Sequence, residues 1–311
     1  MSDERSDPDQ GSRGTGSAGP QAASPLPQER GEDAQRRRGV FLFLRHFLLA
    51  VQFFTRIPVT GRLAEWVGFS PAMLRASAAH FPGVGWVVGL PTAAVFAAVW
   101  WWLPAQPAAP WVAALLSTVF SVLLTGAFHE DGLADLADGL GGSSNRERAL
   151  EIMKDSRIGS FGAIALVLAL CSKVALLALI AQSGGALVAA VALFAGHVTS
   201  RLMPLFVIHT LPHVGDTPQS KSKPLAESIG RGALAVGALW WALAMGLVVL
   251  LLPSVRWAQA VLGALLALLW MWRLLRRRLQ GFTGDGLGAT QQVSEIAFLF
   301  ALSLSLPAAA P

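Results

Sequence analysis

Residues 129 to 142 read HEDGLADLADGLGG, and within them Asp131, Asp135 and Asp138 stand at i, i+4 and i+7. At about 100° per helical residue, all three project from one face. Like charges so placed repel, each i,i+4 pair by a few tenths of a kcal/mol, so a cation is the natural compensation. Oxygen donors without cysteine partners suit a hard ion such as Mg²⁺, which takes one or two protein carboxylates and completes its shell with water and substrate phosphates. The expected ligand is therefore a pyrophosphate or a nucleotide. Glu130 projects from a different face and is a poor metal ligand. Of the twelve acids that follow residue 38, seven lie between 130 and 155. The competing reading is a solvated acidic helix end.

Three further polar groups accompany the acids. EIMKDSRIGSFG, residues 151 to 162, offers Lys154 as a point charge and Arg157 as a bidentate fork for phosphate oxygens, with Asp155 and Ser156 beside them. Plain anchoring of a cytoplasmic loop is the alternative for either base. FTGDGLGATQQVSE, residues 282 to 295, places Asp285 among Gly284, Gly286 and Gly288, which allow a backbone to approach a ligand closely. It lacks the Gly-Lys-Ser/Thr ending of a P-loop. Ser200 and Arg201 lie inside an apolar stretch with His197, and an intramembrane Arg needs a partner. His129, beside the acids, is a candidate general base because an imidazole titrates near neutrality; a structural histidine at a helix start is the alternative.

These groups must be positioned by a membrane protein. Of 311 residues 53% are hydrophobic and 14% charged, and the mean hydropathy is +0.52, which excludes an ordinary soluble globular protein. Tyrosine is absent while Trp reaches 11 and Gly 31, a mixture that suits packed transmembrane helices. Cys171 is the only cysteine, so a disulfide scaffold is excluded. The net charge of +5 collects in particular loops and not in one stripe beside aromatics, so no nucleic-acid partner is expected.

Seven apolar stretches of about 20 residues are long enough to span: 83 to 104, 109 to 128, 160 to 182, 186 to 209, 233 to 253, 257 to 275 and 292 to 309. The segment 40 to 58 is apolar but carries Arg45, His46, Gln52 and Arg56, and reads as an interfacial or re-entrant helix. The fold class is thus all-α, a polytopic integral membrane helical bundle with about seven transmembrane helices plus that N-terminal helix. Arg146, Arg148, Lys154 and Arg157 in one loop, Lys221, Lys223 and Arg231 in the next, and Arg273 with Arg276 to Arg278 in the last make these loops cytoplasmic. The N-terminus is then inside and the active site faces the cytoplasm. Residues 1 to 38, rich in Gly, Ser, Pro and charge, read as a disordered cytoplasmic tail, and 39 to 311 as the membrane catalytic domain.

FFTRIPV at 53 to 59, FPGVGWVVG at 81 to 89, HEDGLADLADGLGG, EIMKDSRIGSFG, Ser200-Arg201, and GDGLGAT with a later Glu at 284 to 295 together resemble the cobalamin synthase family, the adenosylcobinamide-GDP ribazoletransferases. The resemblance covers roughly residues 40 to 300 in order. It implies a Mg²⁺-dependent transferase of the inner membrane that joins adenosylcobinamide-GDP, a corrinoid nucleotide, to α-ribazole or its 5′-phosphate with release of GMP. By the same resemblance Asp131, Asp135 and Asp138 would hold metal, Asp285 would add a ligand or sit near the acceptor, and Lys154, Arg157 and Arg201 would take phosphate oxygens; His129 and Asp285 are the catalytic candidates, and Asp155 and Ser200 join the substrate-binding ones. A homo-oligomer is compatible with it.

Other classes fit less well. CDP-alcohol phosphotransferases begin their motif Asp-Gly-x-x-Ala-Arg, whereas residues 131 to 135 read Asp-Gly-Leu-Ala-Asp. Membrane prenyltransferases carry two aspartate-rich motifs where this chain has one. A cation or metabolite transporter would place its acids near midmembrane in paired halves, and here they cluster at one edge.

Overall fold

The computed structural model describes residues 27–215, 229–304 and 306, and it is helical throughout. In chain order the helices are α1 Pro27–Phe54, α2 Gly61–Val67, α3 Pro71–Ser77, α4 Phe81–Trp102, α5 Ala109–Thr125, α6 Phe128–Gly142, α7 Arg146–Ile152, α8 Ser160–Thr210, α9 Arg231–Leu251, α10 Trp257–Arg278 and α11 Gly284–Ser303. The chain divides into two compact units, one ending at Leu42 and the other running from Phe43 to the end. Six of the seven apolar stretches coincide with a helix or a helix arm, and the seventh, 292 to 309, lies in α11 as far as Ser303, its residues 305 and 307–309 falling outside the described residues. By length and composition four helices are able to cross a membrane, five if the bent pair α5 and α6 is one span.

The expected tail differs in part. Residues 1–26 lie outside the described residues, but α1 begins at Pro27, so residues 27–38 are helical. Gln, Glu, Ala and Arg, which dominate that stretch, are good helix formers and extend the apolar helix that follows. Lys221 and Lys223 also fall outside the described residues.

Helix α8 is 51 residues long and breaks at Gly185, whose φ of 83° and ψ of 171° only glycine adopts readily. Lys173 and His197 each lie twelve residues from that break. In one straight helix they would stand about 36 Å apart. Instead Lys173 Nζ lies 2.6 Å from Glu295 Oε1, and His197 Nδ1 lies 3.6 Å from Glu295 Oε2. The two arms therefore fold back on one another as a helical hairpin, and α11 packs against it. The break sits where the sequence separates the spans 160 to 182 and 186 to 209.

Polarity in this unit is turned inward. Ser121, Lys173, His197, Thr199, Ser200, Arg201, Gln291 and Glu295 are buried, while Leu123, Ile164, Val167, Leu168 and Leu250 are exposed. That is the pattern of a bundle solvated by lipid, in which polar side chains bond across helices. Trp101 and Trp102 end α4 fully on the surface, where an interfacial aromatic belt sits.

The corner between α5 and α6 sets the site. Gly126 at φ 66° and Ala127 at φ 59° turn the chain by 89°. Ala127 tolerates this left-handed strain because its N–H still donates to Val122 O at 2.9 Å. Helix α6 thus leaves the axis of the apolar span and lays its acidic face along the end of the bundle.

Candidate active site

Helix α6 meets the first turn of α11. Gly132 makes this contact possible: a Cβ there would stand 2.9 Å from Asp285 Cα and 3.0 Å from Asp285 O. Thr283 caps α11 by accepting from Gly286 N–H at 3.1 Å, which fixes the turn that carries Asp285. Pro212 to Val214 brace the same turn, since Phe282 N–H donates to Pro212 O and Val214 N–H to Phe282 O, both at 2.9 Å. From the other side Arg278 Nη2 donates to Leu140 O at 3.1 Å and Ser143 O at 2.7 Å, a cation on the orphan carbonyls that end α6.

Asp131, Asp135 and Asp285 are brought into mutual electrostatic range at this contact. Burial, followed by the charges of Asp285, Asp131 and Asp138, pushes the Asp135 carboxyl up to about 7. Burial and then Asp131 push Asp285 up to about 6, against a lowering hydrogen bond from Thr283. Carboxylates held this close repel one another when ionised, which together with burial is why both are pushed up.

Asp138 takes a different part from the one the sequence suggests. Its Oδ2 accepts from Gly159 N–H at 2.7 Å and its Oδ1 from Gly162 N–H at 2.8 Å. The free amides that open α8 are the nearest donors to this buried carboxylate, and they draw it off the shared face as a cap. Among the described residues no three His, Cys, Asp or Glu side chains form a ready-made metal cage. Asp138 thus gives both carboxylate oxygens to the amides at the start of α8, while Asp131, Asp135 and Asp285 lie within electrostatic range of one another. A sequence pattern of i, i+4, i+7 fixes a face but cannot reveal that a second helix starts beside its last member.

The substrate-binding candidates divide into two places. A cleft of about 520 Å³ is lined by Asp138, Arg148, Glu151, Asp155, Arg157 and Ser160, among others. In it Arg157 Nε donates to Asp155 Oδ1 at 2.9 Å, and this contact holds the Asp155 carboxyl down to about 2. Asp155 therefore orients Arg157. Lys154 is exposed near the cleft. Ser200 and Arg201 lie elsewhere, buried in the hairpin: Gln291 Nε2 donates to Ser200 Oγ at 2.8 Å, and Arg201 Nη1 donates to His197 O at 3.0 Å. They belong to a buried network with Lys173, His197, Gln291 and Glu295; Gln292 Nε2 joins it by donating to Gln291 Oε1 at 3.0 Å and links it to Glu130 by donating to Glu130 Oε1 at 3.0 Å.

His129 is buried, its ring stacked at 20° on Phe54 with centroids 6.1 Å apart. With Phe53, Phe81, Phe128, Arg201, Leu287 and Gly288 it lines a second, narrow and largely apolar pocket rich in aromatic rings. Sequence reasoning did not single out this pocket. Phe53 and Phe54 stood in one of the resembling blocks, but only the fold brings Phe128 and α11 to them.

The model of the cobalamin-5-phosphate synthase family matches residues 46–303. Among curated proteins, adenosylcobinamide-GDP ribazoletransferase of Polaromonas sp. is 57% identical over 276 residues, covering 85% of this chain and 98% of its own. The protein of the same name from Polaromonas naphthalenivorans is 58% identical, covering 85% and 99%, and that from Albidiferax ferrireducens 57%, covering 85% and 99%. No solved structure matches. Every motif described above falls inside the matched span, and the chain belongs to the cobalamin-5-phosphate synthase family.

Proposed function

We propose that the chain is a membrane-embedded transferase that joins adenosylcobinamide-GDP to α-ribazole, or to α-ribazole 5′-phosphate, and releases GMP. The observation that carries this reading is the near full-length likeness, at 57% identity, to relatives named for that reaction. The site supports it. A ribose hydroxyl of the acceptor attacks the phosphorus attached to cobinamide; a P–O bond forms, the anhydride bond to GMP breaks, and the hydroxyl proton must be taken up.

Asp131 and Asp135 fit magnesium: they are oxygen donors, two in number, and their crowding is relieved by a cation. When bound there, the ion would supply positive charge to the pyrophosphate oxygens. Arg157, held by Asp155, and Lys154 would take other phosphate oxygens from the cleft beside α6. Asp285 is the better proton acceptor of the two residues considered, because a carboxyl near 6 is ionised at neutral pH yet still basic. His129 is packed among phenylalanines, where a charged imidazolium would be desolvated, and its part is to position the acceptor.

The basic loops support a cytoplasmic site in the inner membrane with the N-terminus inside. Arg146 of one donates to Leu279 O, at the end of the other, at 2.7 Å, so the two lie on one side. The test is GMP release by the detergent-solubilised protein from adenosylcobinamide-GDP and α-ribazole. Turnover is expected with Mg²⁺ and loss of turnover with a chelator or in Asp131→Asn. Undiminished turnover in both conditions would remove the metal from the reading, and no GMP release at all would remove the reaction.

A further inference from the structure

The aromatic pocket has a feature the reaction as drawn leaves unexplained. Arg201 is 4% exposed and lines the pocket, and its Nε–H has no acceptor. A buried donor without a partner is rare in a native fold and points to a group that arrives later. We infer that this pocket receives the flat heteroaromatic base of the acceptor nucleoside, with Arg201 Nε–H donating to the lone pair of a ring nitrogen; the inference rests on the reading above.

Four observations converge on that occupant. Phe54 meets Phe81 edge-on at 4.4 Å and Phe128 edge-on at 5.3 Å, an arrangement that lines the pocket with rings suited to a flat guest. The pocket is narrow and almost wholly apolar, which suits a flat ring and is far too small for a corrin carrying an adenosyl group. The sole cationic side chain on the wall is Arg201, so an acyl chain would leave its donor unanswered, whereas a base with one ring nitrogen would not. Gly284 and Gly288 also line the pocket and flank Asp285 in sequence, so a ribose attached to the base emerges beside the carboxylates.

The benzimidazole of α-ribazole has that ring nitrogen; the corresponding indole has a C–H in its place and the same outline. Binding of 5,6-dimethylbenzimidazole and of 5,6-dimethylindole to the purified full-length protein in detergent, without metal or corrinoid, tests the donor. The benzimidazole is expected to bind at least tenfold more tightly. In parallel, Leu287→Phe narrows the pocket and is expected to raise KM for α-ribazole at least tenfold while KM for adenosylcobinamide-GDP stays within twofold. Equal affinity for the two bases, or a Leu287→Phe effect shared by both substrates or absent from both, overturns the assignment. Displacement of the base by added phospholipid would do so too, and would give the pocket to lipid. Should Leu287→Phe fail to fold, the comparison of the two bases on the unaltered protein still decides. Failure of the enzymatic reading shows separately, as absent GMP release by a protein that discriminates the bases.

Discussion

Replacing Asp135 with Asn separates what the acidic site does for chemistry from what it does to stability. In the folded protein without metal the Asp135 carboxyl is pushed from 3.8 to about 7, first by burial and then by Asp285, Asp131 and Asp138. At about 1.36 kcal/mol per pH unit the ionised group would cost about 4 kcal/mol at pH 8. The side chain is only half-buried, and solvent screening reduces this to about 2 kcal/mol. The sign follows from linkage: the folded state holds the proton more tightly than the unfolded chain, so acidification from pH 8 toward 5 stabilises it. Without metal, Asp135→Asn is therefore expected to unfold at a temperature a few degrees above the unaltered protein at pH 8, with the gap about halved by pH 5.5 and closed only near pH 4. Saturating Mg²⁺ reverses the order, because only the unaltered protein gains binding energy. GMP release in the variant should fall by at least a hundredfold. Tryptophan fluorescence during heating in detergent reads the first effects. An Asp135→Asn protein that melts lower than its parent at pH 8 without metal would refute the reasoning.

Asp138→Ala is expected to lower stability by about 3 kcal/mol, since two amides at the start of α8 lose a charged acceptor. The same measurement should find the metal-free protein less stable at every pH, unlike Asp135→Asn. Gly132→Ala places a methyl group 2.9 Å from Asp285 Cα, so α6 and the first turn of α11 must separate. Turnover is expected to fall at least a hundredfold while size-exclusion elution in detergent stays unchanged.

Much of the architecture could be read from hydropathy, because a lipid solvent forces apolar stretches of fixed length. The helix break between 182 and 186 was marked by Ser183, Gly184 and Gly185. The acidic face was legible through Asp131 and Asp135, whose spacing is a property of one helix. Asp138 was not, because its partners Gly159 and Gly162 lie on another helix more than twenty residues away. The order of residues 27–38 was hidden by their charge, which lowers hydrophobicity but favours a helix once one is started. The aromatic pocket was invisible because it is a space between helices. Sequence shows which residues can form a wall but not which walls face each other.

The meeting of Lys173 with Glu295 also bears on how the chain is made. Glu295 sits in the last of the described helices, so Lys173 is synthesised more than a hundred residues before the carboxylate it pairs with. Until α11 arrives, Glu130 is the acid already made within electrostatic range of that ammonium group, and hydrocarbon penalises an incompletely paired charge heavily. Helix α11 therefore completes the pairing of that charge, and the same helix brings Asp285 beside Asp131 and Asp135. Completion of the fold and completion of the active centre are one event.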